Sequence, residues 1–200
     1  MRLTDRIMEN THAYRLWQAP FVEQKFAPIT RHNNLNLIRR VLDVGCGPGT
    51  NAHRFADADY LGIDWNSDYI EYARRHHKGS FVVADVTKYT VAPGQRFDFI
   101  LVNSFFHHID TENAQRILSH LGTLLTDNGH VHILELLLPD RPSIARLLAR
   151  MDRGKFPRPS QDLLRVVEDV FEPVVLEPYV LSALGVTLWD FVYIKGRVKK

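Results

Sequence analysis

A doubly wound α/β fold is predicted: a mostly parallel seven-stranded sheet, helices on both faces, and an antiparallel hairpin at its C-terminal edge. Three observations predict it. Short β-branched runs alternate with helical segments through the middle of the chain. The runs are apolar on consecutive positions, as strands buried on both faces are. The first run leads into the glycine-rich stretch Gly45-Cys46-Gly47-Pro48-Gly49, and a turn of that kind carries such folds from a strand to a helix at a ligand site.

The predicted strands cover residues 40–44, 60–63, 81–84, 97–102 and 131–136, and the predicted helices cover 51–57, 67–76, 111–126 and 143–151. Ser67 and Thr111 are hydroxyl residues suited to N-caps, and no capping box follows Thr111. Ala114, Ile117, Leu118, Leu121, Leu124 and Leu125 recur at helical spacing, and Gly129 then closes the helical region and opens the next strand. Units of this length imply right-handed crossovers. After a proline-bearing loop at 153–160, a helix is expected over 161–171. Two strands follow at 173–180 and 187–194, joined by a connection too short for a parallel crossover, so they pair antiparallel. Residues 36–200 thus read as one domain with an insertion at about 139–160. Residues 1–35, with Tyr14, Trp17, Phe21 and Phe26, read either as a lid that excludes water or as an amphipathic helix packed on the core.

The 200 residues suffice for one domain with a real core. An apolar fraction of 45%, a charged fraction of 24% and a net charge of +2 place no overall demand for nucleic acid or membrane. The single Cys46 excludes an internal disulfide framework and suits a reducing compartment. No signal-peptide pattern opens the sequence, and no apolar run has the ~18 residues of a spanning helix. The expected location is cytoplasmic.

The chemistry concentrates at the glycine turn. A sharp reversal that a ligand approaches closely requires glycine, and the helix start beyond it offers unpaired N–H groups. A dinucleotide fingerprint needs a third glycine where Thr50 stands. That favours a nucleoside without pyrophosphate over an NAD-type ligand. Asp43, just before the turn, would repel pyrophosphate and attract an amino-bearing or cationic ligand.

Val41-Leu-Asp-Val-Gly-Cys-Gly-Pro-Gly-Thr-Asn51 resembles motif I of the class I, Rossmann-like methyltransferases that use S-adenosylmethionine, of the small-molecule type. Later segments resemble the following motifs in order. Leu61-Gly-Ile-Asp64 resembles the second-strand motif, whose acid bonds the ribose hydroxyls, and Trp65 is then placed to cover adenine. Asp64 stands about 20 residues after Gly45, the separation that brings the second strand's end to the turn. Val83-Ala-Asp85-Val86 resembles the third-strand motif, whose Asp accepts from the adenine amino group. The run from Arg96 to Asn103 resembles the fourth strand, and Leu125-Thr-Asp-Asn-Gly129 the approach to the fifth. The resemblance spans about residues 39–136 and the edge hairpin. It implies S-adenosylmethionine as cofactor and S-adenosylhomocysteine as product. The contacts it implies are Asp43, Gly45, Cys46, Gly47, Gly49, Thr50, Asn51, Asp64, Trp65, Asp85, Val86 and Asn103, with Cys46 a small spacer rather than a nucleophile.

Ligands of open α/β sheets bind outside the strands' carboxyl ends, so the loop Asn103-Ser-Phe-Phe-His107-His108 faces the methyl group. One histidine of the pair assists deprotonation or, alternatively, holds the loop by hydrogen bonding. Glu135 is a weaker catalytic candidate that otherwise bonds the loop. No cluster shows metal-ligand spacing, so no metal is expected. Nucleic-acid amino methyltransferases carry Pro-Pro after the fourth-strand Asn or Asp, whereas Ser104-Phe105 follow Asn103 here. A small or amphiphilic organic acceptor is therefore expected, with a nucleic-acid target or a cofactor-binding, non-catalytic partner subunit as the alternatives. Aminopropyl transfer lacks the acidic pocket it needs. Arg141, Arg146, Arg150, Arg153, Lys155 and Arg158 form either a solvated face or a patch for an anionic substrate or peripheral lipid contact. Nothing in the residues fixes the oligomeric state.

Overall fold

The computed structural model describes residues 21–92, 94–152 and 154–199. The expected N-terminal aromatics Tyr14 and Trp17, and Arg153 of the basic insertion, lie outside them.

In chain order the elements are α1 (Val22–His32), β1 (Arg40–Val44), β2 (Asp59–Asp64), α2 (Ser67–His76), β3 (Ser80–Val83), β4 (Phe97–Asn103), α3 (Thr111–Leu124), β5 (Leu125–Leu136), α4 (Ile144–Met151), α5 (Ser160–Glu168), β6 (Phe171–Ala183) and β7 (Val186–Val198). The strands form one sheet in the order β3-β2-β1-β4-β5-β7-β6. Pairing is parallel from β3 to β5, and β7 runs antiparallel to both β5 and β6. β1 is flanked by β2 and β4, with Val41 opposite Tyr60 on one side and Phe99 on the other. The strand order reverses there, and in open α/β sheets ligands bind outside the strands' carboxyl ends at such a switch point.

Consecutive apolar residues of β1 serve two cores, as two-sided burial requires. Leu42 and Val44 pack with Ile100, Val102 and the α3 residues Ile117, Leu118 and Leu121, under α5. Val41 packs on the opposite face with Phe99, Tyr60, Phe81, and Phe26 and Ile29 of α1. A third cluster joins Phe21, Leu136, Ala149, Leu181 and Phe191.

Several local expectations are corrected. The glycine turn passes into one 3-10 turn, Ala52–Phe55, rather than a helix over 51–57. The bonds Ala52 N–H to Gly49 O and Arg54 N–H to Asn51 O close three-residue steps, and β2 begins four residues after Phe55, which leaves room for little more. The caps of α2 and α3 are Asn66 and Asp110, one residue before Ser67 and Thr111. Asn66 accepts from the N–H groups of Asp68 and Tyr69, and Asp110 from that of Asn113. α5 ends at Glu168 and Phe171 opens β6, where a helix to 171 was expected. β5 starts at Leu125, directly after α3, and Gly129 marks a register shift against Phe97/Phe99. A Cβ there would stand 2.7 Å from the Phe97 carbonyl oxygen. The edge hairpin is longer than expected. Its two turn residues, Leu184 and Gly185, have φ of 51° and 77°, the backbone of a tight hairpin turn matched to strand twist.

Candidate active site

Two groups of residues meet at this switch point. The first is the turn after β1. Gly45, Gly47 and Gly49 have φ of 68°, 54° and 78°, a region costly for residues with a Cβ. A Cβ on Gly45 would strike the Phe105 ring at 2.7 Å, whereas one on Gly47 would meet nothing within 4 Å. Gly45 is thus required for packing and Gly47 borders open space. The N–H groups of Gly45 and Cys46 both donate to the Ile63 carbonyl, which ties the turn to β2. Cys46 is buried.

Two carboxylates flank this turn. Asp64 Oδ2 accepts from the Gly47 N–H and Oδ1 from the Asn66 N–H, both at 2.9 Å; burial raises its pKa against these bonds. Asp43 lies fully buried under the turn. Its Oδ2 accepts from the Tyr60 hydroxyl at 2.6 Å and from Asn51 Nδ2 at 3.4 Å. Its Oδ1 has no partner, one of two such buried side-chain atoms among the described residues. Burial pushes the Asp43 carboxyl up to about 7, against the lowering bonds from Tyr60 and Asn51.

Trp65 is 84% exposed beside Asp64. Asp85 follows β3, but its Oδ1 accepts from the N–H and hydroxyl of Thr87, the turn-forming arrangement open to aspartate. Val86 is buried in the core, and Thr50 is half-buried. Asn103 ends β4, where its Oδ1 accepts from the Ser104 hydroxyl at 3.2 Å.

The second group is the loop after β4, held from below by Glu135 at the end of β5. Glu135 Oε2 accepts from the N–H groups of Phe105 and Phe106 at 3.1 and 2.7 Å, and Oε1 accepts from its neighbour Leu136 at 2.9 Å. Oε1 also lies 2.5 Å from His107 Nδ1. The other ring nitrogen, Nε2, is 3.4 Å from Asp152 Oδ1. Burial opposes a charge on His107, but the two carboxylates prevail and raise its pKa. In turn the imidazolium holds Glu135 and Asp152 below their ordinary values despite burial. Both ring nitrogens of His107 therefore face carboxylates, and the contact with Glu135 ties the loop to β5. His108 is exposed, its ring 4.1 Å from that of His107.

Residues that sequence reasoning missed complete this group. Lys25 of α1 is buried, donates to Ser104 Oγ at 3.1 Å, and lies 5.2 Å over the Phe191 ring. Burial lowers its pKa to about 8, against the raising influence of Glu135 and Asp152. Ser104 itself has a φ of 54°. Arg158, expected in a basic patch, is buried and donates to the carbonyls of Phe106 and Ile109, both at 2.7 Å. The Phe156 N–H donates to the His107 carbonyl. The insertion is thus stitched onto the loop. Its α4 keeps Ile144, Leu147 and Met151 exposed.

Residues 41–129 match the family described as a methyltransferase domain. Among curated proteins, a trans-aconitate 2-methyltransferase of Delftia acidovorans is 32% identical over 108 residues, 51% of this chain and 38% of that one. A ubiquinone biosynthesis O-methyltransferase of Pectobacterium atrosepticum is 29% identical over 137 residues, 60% of this chain and 55% of that one. The chain thus spans about two fifths to just over half the length of these relatives. Among solved structures, the N-methyltransferase NodS of Bradyrhizobium japonicum, in complex with S-adenosyl-L-homocysteine, shares the fold. Its TM-score is 0.73 at 17% identity, over 98% of this chain and 96% of that one. The strand order and the glycine turn at the switch point accompany the match over residues 41–129: that segment is similar to a methyltransferase domain, and the fold is shared with the solved N-methyltransferase.

Proposed function

We propose that this chain binds S-adenosylmethionine at the turn after β1 and transfers its methyl group to a small or amphiphilic organic acceptor lying against the loop after β4. The observation that carries the reading is the pair of carboxylates around the turn. Asp43 keeps one buried oxygen without a partner, and Asp64 stands beside the open space at Gly47. The donor set fits the cofactor: Asp43 suits its ammonium, the remaining lone pairs of Asp64 its ribose hydroxyls, and exposed Trp65 the face of its adenine. Cys46, Gly49, Thr50 and Asn51 shape the turn. Asn103 and Val86 border the sulfur and base ends, and Asp85 meets the adenine amino group once its contacts to Thr87 are shared.

When bound, the cofactor supplies a methyl group already activated on a positively charged sulfur. The chain's own task is positioning, and an in-line approach at contact distance supplies much of the acceleration. Glu135 fixes the backbone of Phe105 and Phe106, and the Phe105 ring closes over Gly45. His107 is a positioning residue rather than the base. Lys25 and Ser104 present a cation and a hydroxyl to the acceptor side.

The apolar face of Ile144, Leu147 and Met151 beside Arg146 and Arg150 supports an amphiphilic acceptor and peripheral lipid contact. Buried Cys46 suits a reducing, cytoplasmic setting. No described helix is long and apolar enough to cross a membrane.

The test is S-adenosylhomocysteine production from S-adenosylmethionine with a panel of carboxylates, phenols, alcohols and amines, in buffer and in mixed micelles. Turnover above the acceptor-free rate is expected with at least one class. Cofactor uptake with no turnover on any class would instead describe a silent partner subunit.

A further inference from the structure

We infer that His107, His108 and Asp152 form a three-ligand site for one divalent transition-metal cation, of the borderline kind typified by Zn2+, with its open position turned to the acceptor side.

Among the described residues these three side chains each place a ligand atom within 4.8 Å of the others. The distance from His107 Nε2 to Asp152 Oδ1 is 3.4 Å. That is long for a charged hydrogen bond, which runs at roughly 2.7–2.9 Å. It matches the separation of about 3.4 Å between a nitrogen and an oxygen that sit at tetrahedral angles, each roughly 2.1 Å from one cation.

Glu135 supports the same reading independently. Its carboxylate can only accept, so the 2.5 Å contact puts a proton on His107 Nδ1 and turns Nε2 outward toward Asp152; a cation bound there displaces the Nε2 proton to solvent. A carboxylate behind the second nitrogen of a histidine is the usual outer support of a metal ligand: it fixes the ring's tautomer and orientation and raises its basicity. Asp152 is likewise prearranged, since its Oδ1 accepts from the Gly154 N–H at 3.0 Å. Gly154 lets this part of the insertion lie on His107. A Cβ there would overlap the imidazole ring and stand 2.6 Å from the His107 carbonyl oxygen.

Two histidines and one carboxylate leave a tetrahedral cation one position, as in sites that bind an oxygen of a small molecule. His108 is exposed and the Asp152 side chain is 37% exposed, so that position is reachable from solvent. Because the loop follows Asn103, the open position faces the proposed acceptor. There a cation would hold an acceptor's hydroxyl or carboxylate oxygen and favour its anionic form. This last step rests on the methyltransferase reading; cation uptake does not.

Metal-stripped protein titrated with Co2+ tests the site, read by the visible absorption of tetrahedral cobalt and by calorimetry. One equivalent is expected to bind. His108→Ala and Asp152→Ala, changes at exposed positions, are each expected to weaken uptake at least tenfold, and Glu135→Gln about 10–100-fold. All three variants are checked for native circular dichroism. Absence of tetrahedral Co2+ absorption, or equal uptake by the wild type and both exposed variants, overturns the site. S-adenosylhomocysteine uptake is measured on the same samples. Its presence without cobalt uptake removes the cation site alone, and cobalt uptake without it removes the methyltransferase reading alone.

Discussion

Glu135 Oε1 lies 2.5 Å from His107 Nδ1, and both side chains are buried beneath the loop that follows β4. One carboxylate thereby satisfies an imidazole and three backbone N–H groups. Removing one member of a buried charged pair strands the other and costs roughly 3–5 kcal/mol. Glu135→Ala is expected to lower unfolding stability by about that much, measured by urea denaturation. Glu135→Gln retains an acceptor for the loop and should lose less.

Asp64 is expected to set cofactor affinity. A hydrogen bond to a charged group contributes about 1.5–3 kcal/mol, so Asp64→Ala should weaken S-adenosylhomocysteine binding roughly 10–100-fold while the protein stays folded. Equilibrium dialysis checks this. An unchanged dissociation constant would remove Asp64 from the site.

The glycines of the turn should separate by role. Gly45→Ala drives a Cβ into the Phe105 ring and is expected to lower the melting temperature. Gly47→Ala meets no neighbour and carries only the backbone cost of its positive φ, about 1–2 kcal/mol. Its added methyl group nevertheless enters the proposed ligand space. Gly47→Ala should therefore lose affinity out of proportion to stability, seen by comparing thermal denaturation with and without S-adenosylhomocysteine.

What the sequence made legible was local. The turn, Asp43 and Asp64 lie within about 25 residues, and the hydrophobic pattern alone brings β1 and β2 side by side. The caps were displaced by one residue because Asn66 and Asp110 reach the same N–H groups better than their hydroxyl neighbours do. The group around His107 was not legible as a unit. Glu135 is 28 positions away, Lys25 and Ser104 are 79 apart, and Arg158 is 52 from Phe106. Only the sheet order and the docking of the insertion bring them together. Nothing in the sequence singles out Lys25, and Arg158 reads there as one of a basic group, either a solvated face or a patch for an anionic partner. The signal that separates them is what folding does to them: each is buried, with its charged end on oxygen atoms of the loop after β4.

Asp43 predicts a pH dependence. Burial lifts its carboxyl to about 7 in the ligand-free protein, with Tyr60, Asn51, Cys46 and Asp64 facing it. An ammonium-bearing ligand prefers the ionised form, so binding is strongest above pH 7 and weakens as the carboxyl gains its proton below it. From about pH 8 to about pH 6 the affinity for S-adenosylhomocysteine should fall roughly tenfold. Asp43→Asn should bind more weakly at both values and with a flatter profile. The same raised value makes the ligand-free protein lose stability as pH rises from the ordinary carboxyl range through about 7. Urea denaturation of the wild type against Asp43→Asn checks that sign.

The most direct measurement is calorimetric titration of the folded chain with S-adenosylhomocysteine at neutral pH. The account predicts one saturable site per chain, greatly weakened in Asp64→Ala and Gly47→Ala. A flat titration from correctly folded wild-type protein would contradict it.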